Sequence, residues 1–299
     1  MATTKVLLGR CRHDASASLQ APCSYGDNLL MTVTLTASPD RALSTVSSEA
    51  FNRDGFLAID SLTTAEDIER IRSLLDPLFE RFDSLGERAV DLAGPRQPGV
   101  PPRSPEVNEA VSLEPRLRQT LTYKRCREVA RKLLGVPVGY QFDHCIFKPP
   151  HNKTPTAWHQ DEAYSAGPIP LRSIHFWIPL QPVTVQNGCM WFIPGSNRTG
   201  LLPHHVASRR FNGPVAGNKG ATIAADTVDD STAVACPLPV GGATIHHPLT
   251  LHYTGANQSD GYRKVWILHF GAYGWVRLRL HPKVLAARLR SRFRPDPST

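Results

Sequence analysis

The chain has 299 residues, of which 41% are hydrophobic and 20% charged, as in folded globular proteins. No run approaches the roughly 18 apolar residues that a membrane span needs, so we expect no integral membrane segment. The 34 Lys and Arg residues outnumber the 26 Asp and Glu residues, which gives a net charge of +8. This balance favours anionic small-molecule partners such as carboxylates, phosphates or coenzyme A. No nucleic-acid motif accompanies the charge, so nucleic acid is not an expected partner.

The two ends of the chain differ from its middle. Residues 1–45 lack sustained periodicity, which predicts a disordered or loosely attached leader. The six cysteines include no Cys-x-x-Cys pair, a pattern typical of reduced thiols and hence of a cytoplasmic protein. The leader is rich in Ser, Thr, Ala and Arg, so targeting to an organelle is the alternative. Residues 276–299 are rich in arginine and predict a basic tail or surface helix.

Residues 46–275 are predicted to form one domain that begins with helices. The sequence around Asp54-Gly55-Phe56 predicts a short helix, a glycine turn and a strand. Apolar residues recur at helical spacing from Ile68 to Phe82, behind an N-cap within Thr63-Thr64-Ala65-Glu66. A Pro- and Gly-rich loop between positions 94 and 105 has the length of a functional lid. A second helix is predicted from about Pro115 to Leu134.

Short strand-like runs separated by turns occupy the rest of the domain. They are Tyr140–Phe147, Ser173–Pro179, Met190–Ile193, Ala243–His247 and Val265–Gly271. Helices followed by many short strands predict a mainly β protein, a sandwich or barrel with helices packed outside. The sequence does not indicate an oligomeric state.

The segment Trp158-His159-Gln160-Asp161 holds a histidine and a carboxylate two positions apart. On a β-strand such residues point to the same face, so His159 and Asp161 can reach one metal ion together. His252, on a remote strand, is our candidate for a third ligand. Two histidines and one carboxylate, with positions left open, suit a non-haem Fe(II) that binds a co-substrate and O2.

Arg263 begins a later strand and is a candidate for co-substrate binding. If the co-substrate is 2-oxoglutarate, its keto acid end chelates the iron, and its distal carboxylate needs a cationic partner. A guanidinium is suited to bind a carboxylate through two parallel hydrogen bonds. Thr254, two residues after His252, adds a hydroxyl donor on the same strand face.

Several motifs together resemble the phytanoyl-CoA dioxygenase family of Fe(II)- and 2-oxoglutarate-dependent oxygenases. The matching segments are Asp54-Gly55-Phe56, Lys148-Pro149-Pro150, Trp158-His159-Gln160-Asp161, Asn187-Gly188-Cys189, Pro194-Gly195-Ser196-Asn197, His247-Pro248, His252, Asn257 and Gly261-Tyr262-Arg263-Lys264. The resemblance covers roughly positions 47 to 273. Each motif is short, but their combined order and spacing are specific.

The resemblance implies a double-stranded β-helix, a jelly-roll and cupin-like core flanked by N-terminal helices. It implies that His159, Asp161 and His252 bind the iron, and that Arg263 and Thr254 hold the distal carboxylate of 2-oxoglutarate. Trp177 and His144 match positions that face the co-substrate in the family. His246 and His247 compete as ligands but are expected to support the site. No lysine before position 115 matches one that some members use for 2-oxoglutarate.

The expected activity is hydroxylation of a small organic or acyl-type substrate, of which an anionic or CoA-linked molecule is one form. Related halogenases replace the carboxylate ligand with a small residue, so the presence of Asp161 favours hydroxylation. Two alternatives stay open. One is a catalytically silent binding protein of the same fold, and the other is a cupin-type metal enzyme that does not use 2-oxoglutarate.

Overall fold

A computed structural model describes residues 46–95, 99–165, 172–209 and 221–274. The predicted leader at 1–45 and the predicted basic tail at 276–299 lie outside these residues. None of the helices within the described ranges has the length and hydropathy that a membrane crossing requires.

Four α-helices among the described residues precede most of the strands. They are α1 (Ser48–Asp54), α2 (Ala65–Glu80), α3 (Ala110–Leu113) and α4 (Leu121–Leu134). Segments of 3₁₀ helix lie at Phe82–Arg88, which is interrupted at Gly86 (φ of +59°), and at Pro115–Gln119, Asp161–Tyr164 and Ser196–Arg198. The prediction that the second helix begins near Pro115 is wrong, because Pro115–Gln119 is a 3₁₀ turn and α4 begins at Leu121. Thr120 is extended and its hydroxyl accepts the Tyr123 N–H, which separates the 3₁₀ turn from α4.

Thirteen strands in the described ranges form the core. They are β1 (Phe56–Ile59), β2 (Ala89–Asp91), β3 (Pro105–Asn108), β4 (Val138–Lys148), β5 (Thr156–His159), β6 (Ser173–Pro179), β7 (Met190–Phe192), β8 (His204–Arg209), β9 (Ala221–Ala225), β10 (Val234–Cys236), β11 (Ala243–His246), β12 (His252–Thr254) and β13 (Arg263–Ala272). A large sheet has the order β1-β11-β6-β13-β4-β3-β2, and a smaller one has the order β10-β7-β12-β5. Strands β8 and β9 form a separate two-stranded antiparallel sheet.

The large sheet separates two apolar layers because successive strand residues point to opposite faces. In β6, Ile174 and Phe176 belong to the layer that also contains the buried residues of α2 and α4. Trp177, next along the strand, belongs to the layer shared with Met190 and Phe192 of the smaller sheet. The predicted fold is confirmed: two facing sheets form a jelly-roll core, and the helices cover the outer face of one of them.

The alternation also fixes what faces the interior between the sheets. In β4, Cys145 and Phe147 pack toward the helices, whereas Ile146 packs toward the smaller sheet. His144 and Lys148 share the parity of Ile146 and lie on the same inner face. In β13 the same rule assigns Arg263 to the inner face together with Val265. The side chains of His144, Lys148 and Arg263 therefore point into the space between the two sheets.

Candidate metal centre and adjoining cationic pocket

His159 and Asp161 lie together, although they do not share a strand as predicted. Strand β5 ends at His159, and Asp161 opens a 3₁₀ turn. Gln160 between them keeps extended dihedral angles, so Asp161 still points to the same side as His159. The turn is closed by the Ala163 N–H, which is donated to the Gln160 carbonyl, and the Glu162 N–H is donated to the Pro248 carbonyl.

His252 is brought to the pair by strand pairing. It is the direct antiparallel partner of His159 in the β12–β5 register. Gly188 precedes β7, the other neighbour of β12, with φ of +86°. A Cβ at position 188 would meet the Gly255 carbonyl oxygen at 2.6 Å, so only glycine permits this approach beside the end of β12.

The three side chains present one ligand atom each to a common point. Their candidate ligand atoms all lie within 4.8 Å of one another. Oδ1 of Asp161 is 3.5 Å from Nε2 of His159 and 3.5 Å from Nε2 of His252. Both histidines donate from Nδ1 to a backbone carbonyl, His159 to Ala157 at 2.8 Å and His252 to Thr250 at 2.9 Å. These bonds leave the Nε2 lone pairs directed at the common point, as metal binding requires.

Electrostatics favours an ionised carboxylate at this point. Burial alone would raise the pKa of Asp161, but the imidazoles of His252 and His175 hold it well below its usual range. Burial, followed by the nearby His252, lowers the pKa of His159, whereas the pKa of His252 is, despite its burial, raised by the Asp161 carboxylate. A divalent cation at the common point would displace the proton from His252, because metal binding requires neutral imidazole ligands.

The second oxygen of Asp161 is held by two histidines from the other sheet. Nδ1 of His175 lies 2.6 Å from Oδ2 of Asp161, and Nε2 of His246 lies 3.1 Å from it. His175 is oriented in turn by Ser173, whose hydroxyl lies 2.9 Å from its Nε2. No role was predicted for His175 from the sequence, although it lies two residues before Trp177 on the inner face of β6. His246 lies where a supporting role was expected, whereas His247 accepts the Leu249 N–H at 3.1 Å.

Arg263 and Lys148 form a buried cationic pocket next to the three candidate ligands. They face each other across β13 and β4 and are 1% and 0% exposed. Lys148 Nζ donates to Thr254 Oγ1 at 3.2 Å and to the Gly255 carbonyl at 3.0 Å. The guanidinium of Arg263 lies 5.5 Å from the centre of the Trp177 ring. Arg263, Thr254 and Trp177, all predicted for co-substrate binding, are thus brought together.

This pocket contains donors without acceptors. Nε and Nη1 of Arg263 are buried and have no hydrogen-bond partner among the described residues. Burial lowers the pKa of Arg263 to about 9. Buried donors of this kind are costly unless an acceptor is supplied, and a carboxylate is the natural acceptor for a guanidinium. The pocket therefore fits the distal carboxylate of 2-oxoglutarate.

Lys148 belongs to the Lys148-Pro149-Pro150 motif, but no role in the site was predicted for it. Its position was readable from β4, where Lys148 alternates with the inward-facing Ile146. A lysine at an inward position of a buried strand is unusual, and that was the available signal.

A cavity of about 1020 Å³ extends from the candidate ligands. Its wall includes Thr254 and Trp177 as well as Leu92, Gln141 and Ile223. His144 also lines it, with Nδ1 2.5 Å from Oε1 of the buried Glu106. The structure thus puts His144 on the wall of the cavity, four residues from Lys148 along β4, and its contact with co-substrate stays a prediction.

Comparison with known proteins gives a family match and relatives. The family model described as phytanoyl-CoA dioxygenase (PhyH) matches residues 51–265. Phytanoyl-CoA dioxygenase domain-containing protein 1 of Danio rerio is 30% identical over 157 residues, covering 52% of this chain and 53% of that protein. The chain thus spans about half the length of this relative. The protein of the same name from Bos taurus is 26% identical over 263 residues, covering 74% and 87%.

A solved structure shares the fold. EvdO2 from Micromonospora carbonacea var. aurantiaca, crystallised in complex with 2-oxoglutarate, superposes with a TM-score of 0.62 and 29% identity. The superposition covers 75% of this chain and 89% of EvdO2. The jelly roll, two histidines with one carboxylate, and the buried guanidinium of Arg263 beside them define the class of iron- and 2-oxoglutarate-dependent oxygenases. Within that class, the chain belongs to the phytanoyl-CoA dioxygenase family.

Proposed function

We propose that this protein hydroxylates a small organic or acyl-type substrate, using Fe(II), O2 and 2-oxoglutarate and releasing succinate and CO2. One observation carries the proposal. The three candidate ligands line one cavity with Thr254 and Trp177, and the unsatisfied Arg263 guanidinium lies 5.5 Å from the Trp177 ring, so one molecule of 2-oxoglutarate would have a partner for each end.

The residues fit the iron and the co-substrate by their donor chemistry. His159, Asp161 and His252 would hold Fe(II) through Nε2, Oδ1 and Nε2. Fe(II), when bound with 2-oxoglutarate, would supply the activation of O2. Arg263 and Thr254 would orient the distal carboxylate, and Trp177 would form the wall beside it. Because all of these side chains are buried or nearly so, the chain itself excludes bulk water from the reacting groups.

Asp161 also bears on the outcome of the reaction. Its carboxylate would take the ligand position that halogenases of related type leave to chloride. The two histidines on Oδ2 hold the carboxylate in that position, which supports hydroxylation as the proposed outcome.

The substrate is proposed from the cavity and the charge of the chain. The cavity wall combines apolar side chains such as Leu92 and Ile267 with polar ones such as Asn108 and Gln141. A small organic molecule or the acyl part of a CoA ester suits such a wall. Succinate release measured across a panel of acyl-CoAs and free metabolites would identify the class. A cytoplasmic location is part of the proposal, with the leader at 1–45 as the segment to delete in testing it.

Anaerobic titration with Fe(II) and then 2-oxoglutarate tests the proposal. We expect a weak visible charge-transfer band that saturates at one equivalent of each. A protein that binds neither would be a silent member of the fold, and the band's absence would rule out the oxygenase. A cupin-type enzyme that does not use 2-oxoglutarate would bind metal but would be indifferent to Arg263→Ala.

A further inference from the structure

We propose that Lys148 is a second cationic partner of the distal carboxylate of 2-oxoglutarate, and that co-substrate binding is accompanied by uptake of a proton on its amine. The inference rests on the proposed function. It concerns a residue that the motif comparison left without a role.

The hydrogen bonds of Lys148 suit a neutral amine. Its nitrogen donates to Thr254 Oγ1 and to the Gly255 carbonyl, which are both uncharged. A neutral amine has two N–H groups, so these bonds satisfy it. An ammonium has a third N–H, and this one finds no acceptor among the described residues.

The surroundings of Lys148 disfavour its charge. The side chain is fully buried, and among the described residues only Arg263 brings a charge that acts on it. Arg263 faces it from β13, and Cys189, beside Arg263, is a neutral thiol because burial raises its pKa to about 12. Burial, and then the charge of Arg263, hold the pKa of Lys148 well below its usual range.

A bound carboxylate reverses each of these effects. It would accept from the free Nε and Nη1 of Arg263 and offset the charge that repels an ammonium at Lys148. It would also give the third N–H of Lys148 an acceptor at the same place. One proton therefore moves from solvent to Nζ, and one N–H bond forms. A purely structural amine that only joins β4 to β12 would not change its protonation on binding.

A lysine that becomes charged only on binding affects which co-substrate the pocket selects. One guanidinium alone balances one carboxylate. A second group that becomes charged only when a carboxylate arrives strengthens binding of that anion, without leaving two cations exposed to each other beforehand. Affinity for 2-oxoglutarate should then fall as the pH rises, because binding requires a proton for Lys148 and the proton concentration is lower.

Calorimetry can count the proton directly. We would titrate 2-oxoglutarate into the Zn(II)-loaded protein, which does not turn over, in buffers of different ionisation enthalpy at one pH. We expect the wild type to take up a substantial fraction of one proton per 2-oxoglutarate near pH 8. Lys148→Arg, always protonated, should lose that uptake but still bind, and Lys148→Met should lose it and bind at least tenfold more weakly.

Lys264→Met is the matched control. Lys264 is the next residue after Arg263, but its ammonium pairs with Asp76 at 2.7 Å on the other face. It should keep both the proton uptake and the affinity of the wild type. Binding of 2-oxoglutarate by the wild type with the same proton count as Lys148→Arg would overturn the inference and leave the proposed function standing. Absence of any 2-oxoglutarate binding would overturn both.

Discussion

Nδ1 of His175 lies 2.6 Å from Oδ2 of Asp161, the oxygen that does not face the other two candidate ligands. Oδ1 is the atom near His159 and His252, so the two oxygens of one carboxylate have separate partners. A carboxylate fixed in this way offers a metal one oxygen and cannot turn to offer both. The hydrogen bonds on Oδ2 thereby help to keep coordination positions open for co-substrate and O2.

His175→Phe tests the importance of that bond. Phenylalanine keeps an aromatic ring against His269, whose ring stacks on His175 at 3.6 Å, but it removes the donor to Asp161. We expect Co(II) affinity, measured by the visible absorption of the bound ion, to fall about 10- to 100-fold. His269→Phe keeps the His175–Asp161 bond and should bind Co(II) nearly as the wild type does. Equal affinities in the two variants would contradict the role given to His175.

Arg263→Gln removes the guanidinium from the cationic pocket while keeping a polar side chain of intermediate length. Loss of a buried charged partner weakens binding by about 2 kcal/mol or more, which corresponds to a rise in the KM for 2-oxoglutarate of about 30-fold. The KM for the main substrate should change far less, since the guanidinium is proposed to hold the co-substrate. Steady-state succinate release with each component varied in turn measures both. Lys264→Gln is the control, and a rise of similar size there would argue against a specific role of Arg263.

Asp143 is expected to matter for stability. This buried carboxylate accepts from Tyr140 Oη at 2.6 Å, Trp266 Nε1 at 2.9 Å and the Val111 N–H, joining β4, β13 and α3. Asp143→Ala leaves these donors without an acceptor, so we expect the free energy of unfolding to fall by about 3 to 5 kcal/mol. Denaturant unfolding measures this. Asp260→Ala, at a fully exposed side chain, should change it by less than about 0.5 kcal/mol, and a similar loss there would contradict the argument.

The sequence was most informative where chemistry and strand alternation agree. His159 and Asp161 are two apart, and the extended Gln160 preserved their common direction even though β5 ends before Asp161. That His252 is the partner of His159 depends on a pairing between strands more than 90 positions apart, which no local pattern encodes. The family resemblance supplied that long-range information.

Other parts of the site could not be read because they depend on the approach of the two sheets. His175 belongs to the large sheet, whereas Asp161 lies just after β5 of the smaller sheet. The contact between them follows from how the sheets face each other. The inward direction of His175 could have been inferred from Trp177, two residues later, but its distance to Asp161 could not. The same holds for Lys148 and Thr254, which meet across the interior.

His247 should make the folded state sensitive to acid. Its Nδ1 accepts the Leu249 N–H, a bond that requires an unprotonated nitrogen, and burial lowers its pKa to about 4 from an ordinary value of 6.5. The unfolded chain binds the proton first as the pH falls. The stabilising contribution of His247 is therefore fully present above about pH 6.5 and is lost progressively as the pH falls toward about 4.

His247→Asn, whose amide oxygen can accept the same N–H, does not titrate. We expect the stability difference between wild type and variant, from denaturant unfolding at pH 8 and pH 5, to shift in favour of the variant at pH 5. A difference that is the same at both values would show that His247 is not buried as a neutral imidazole.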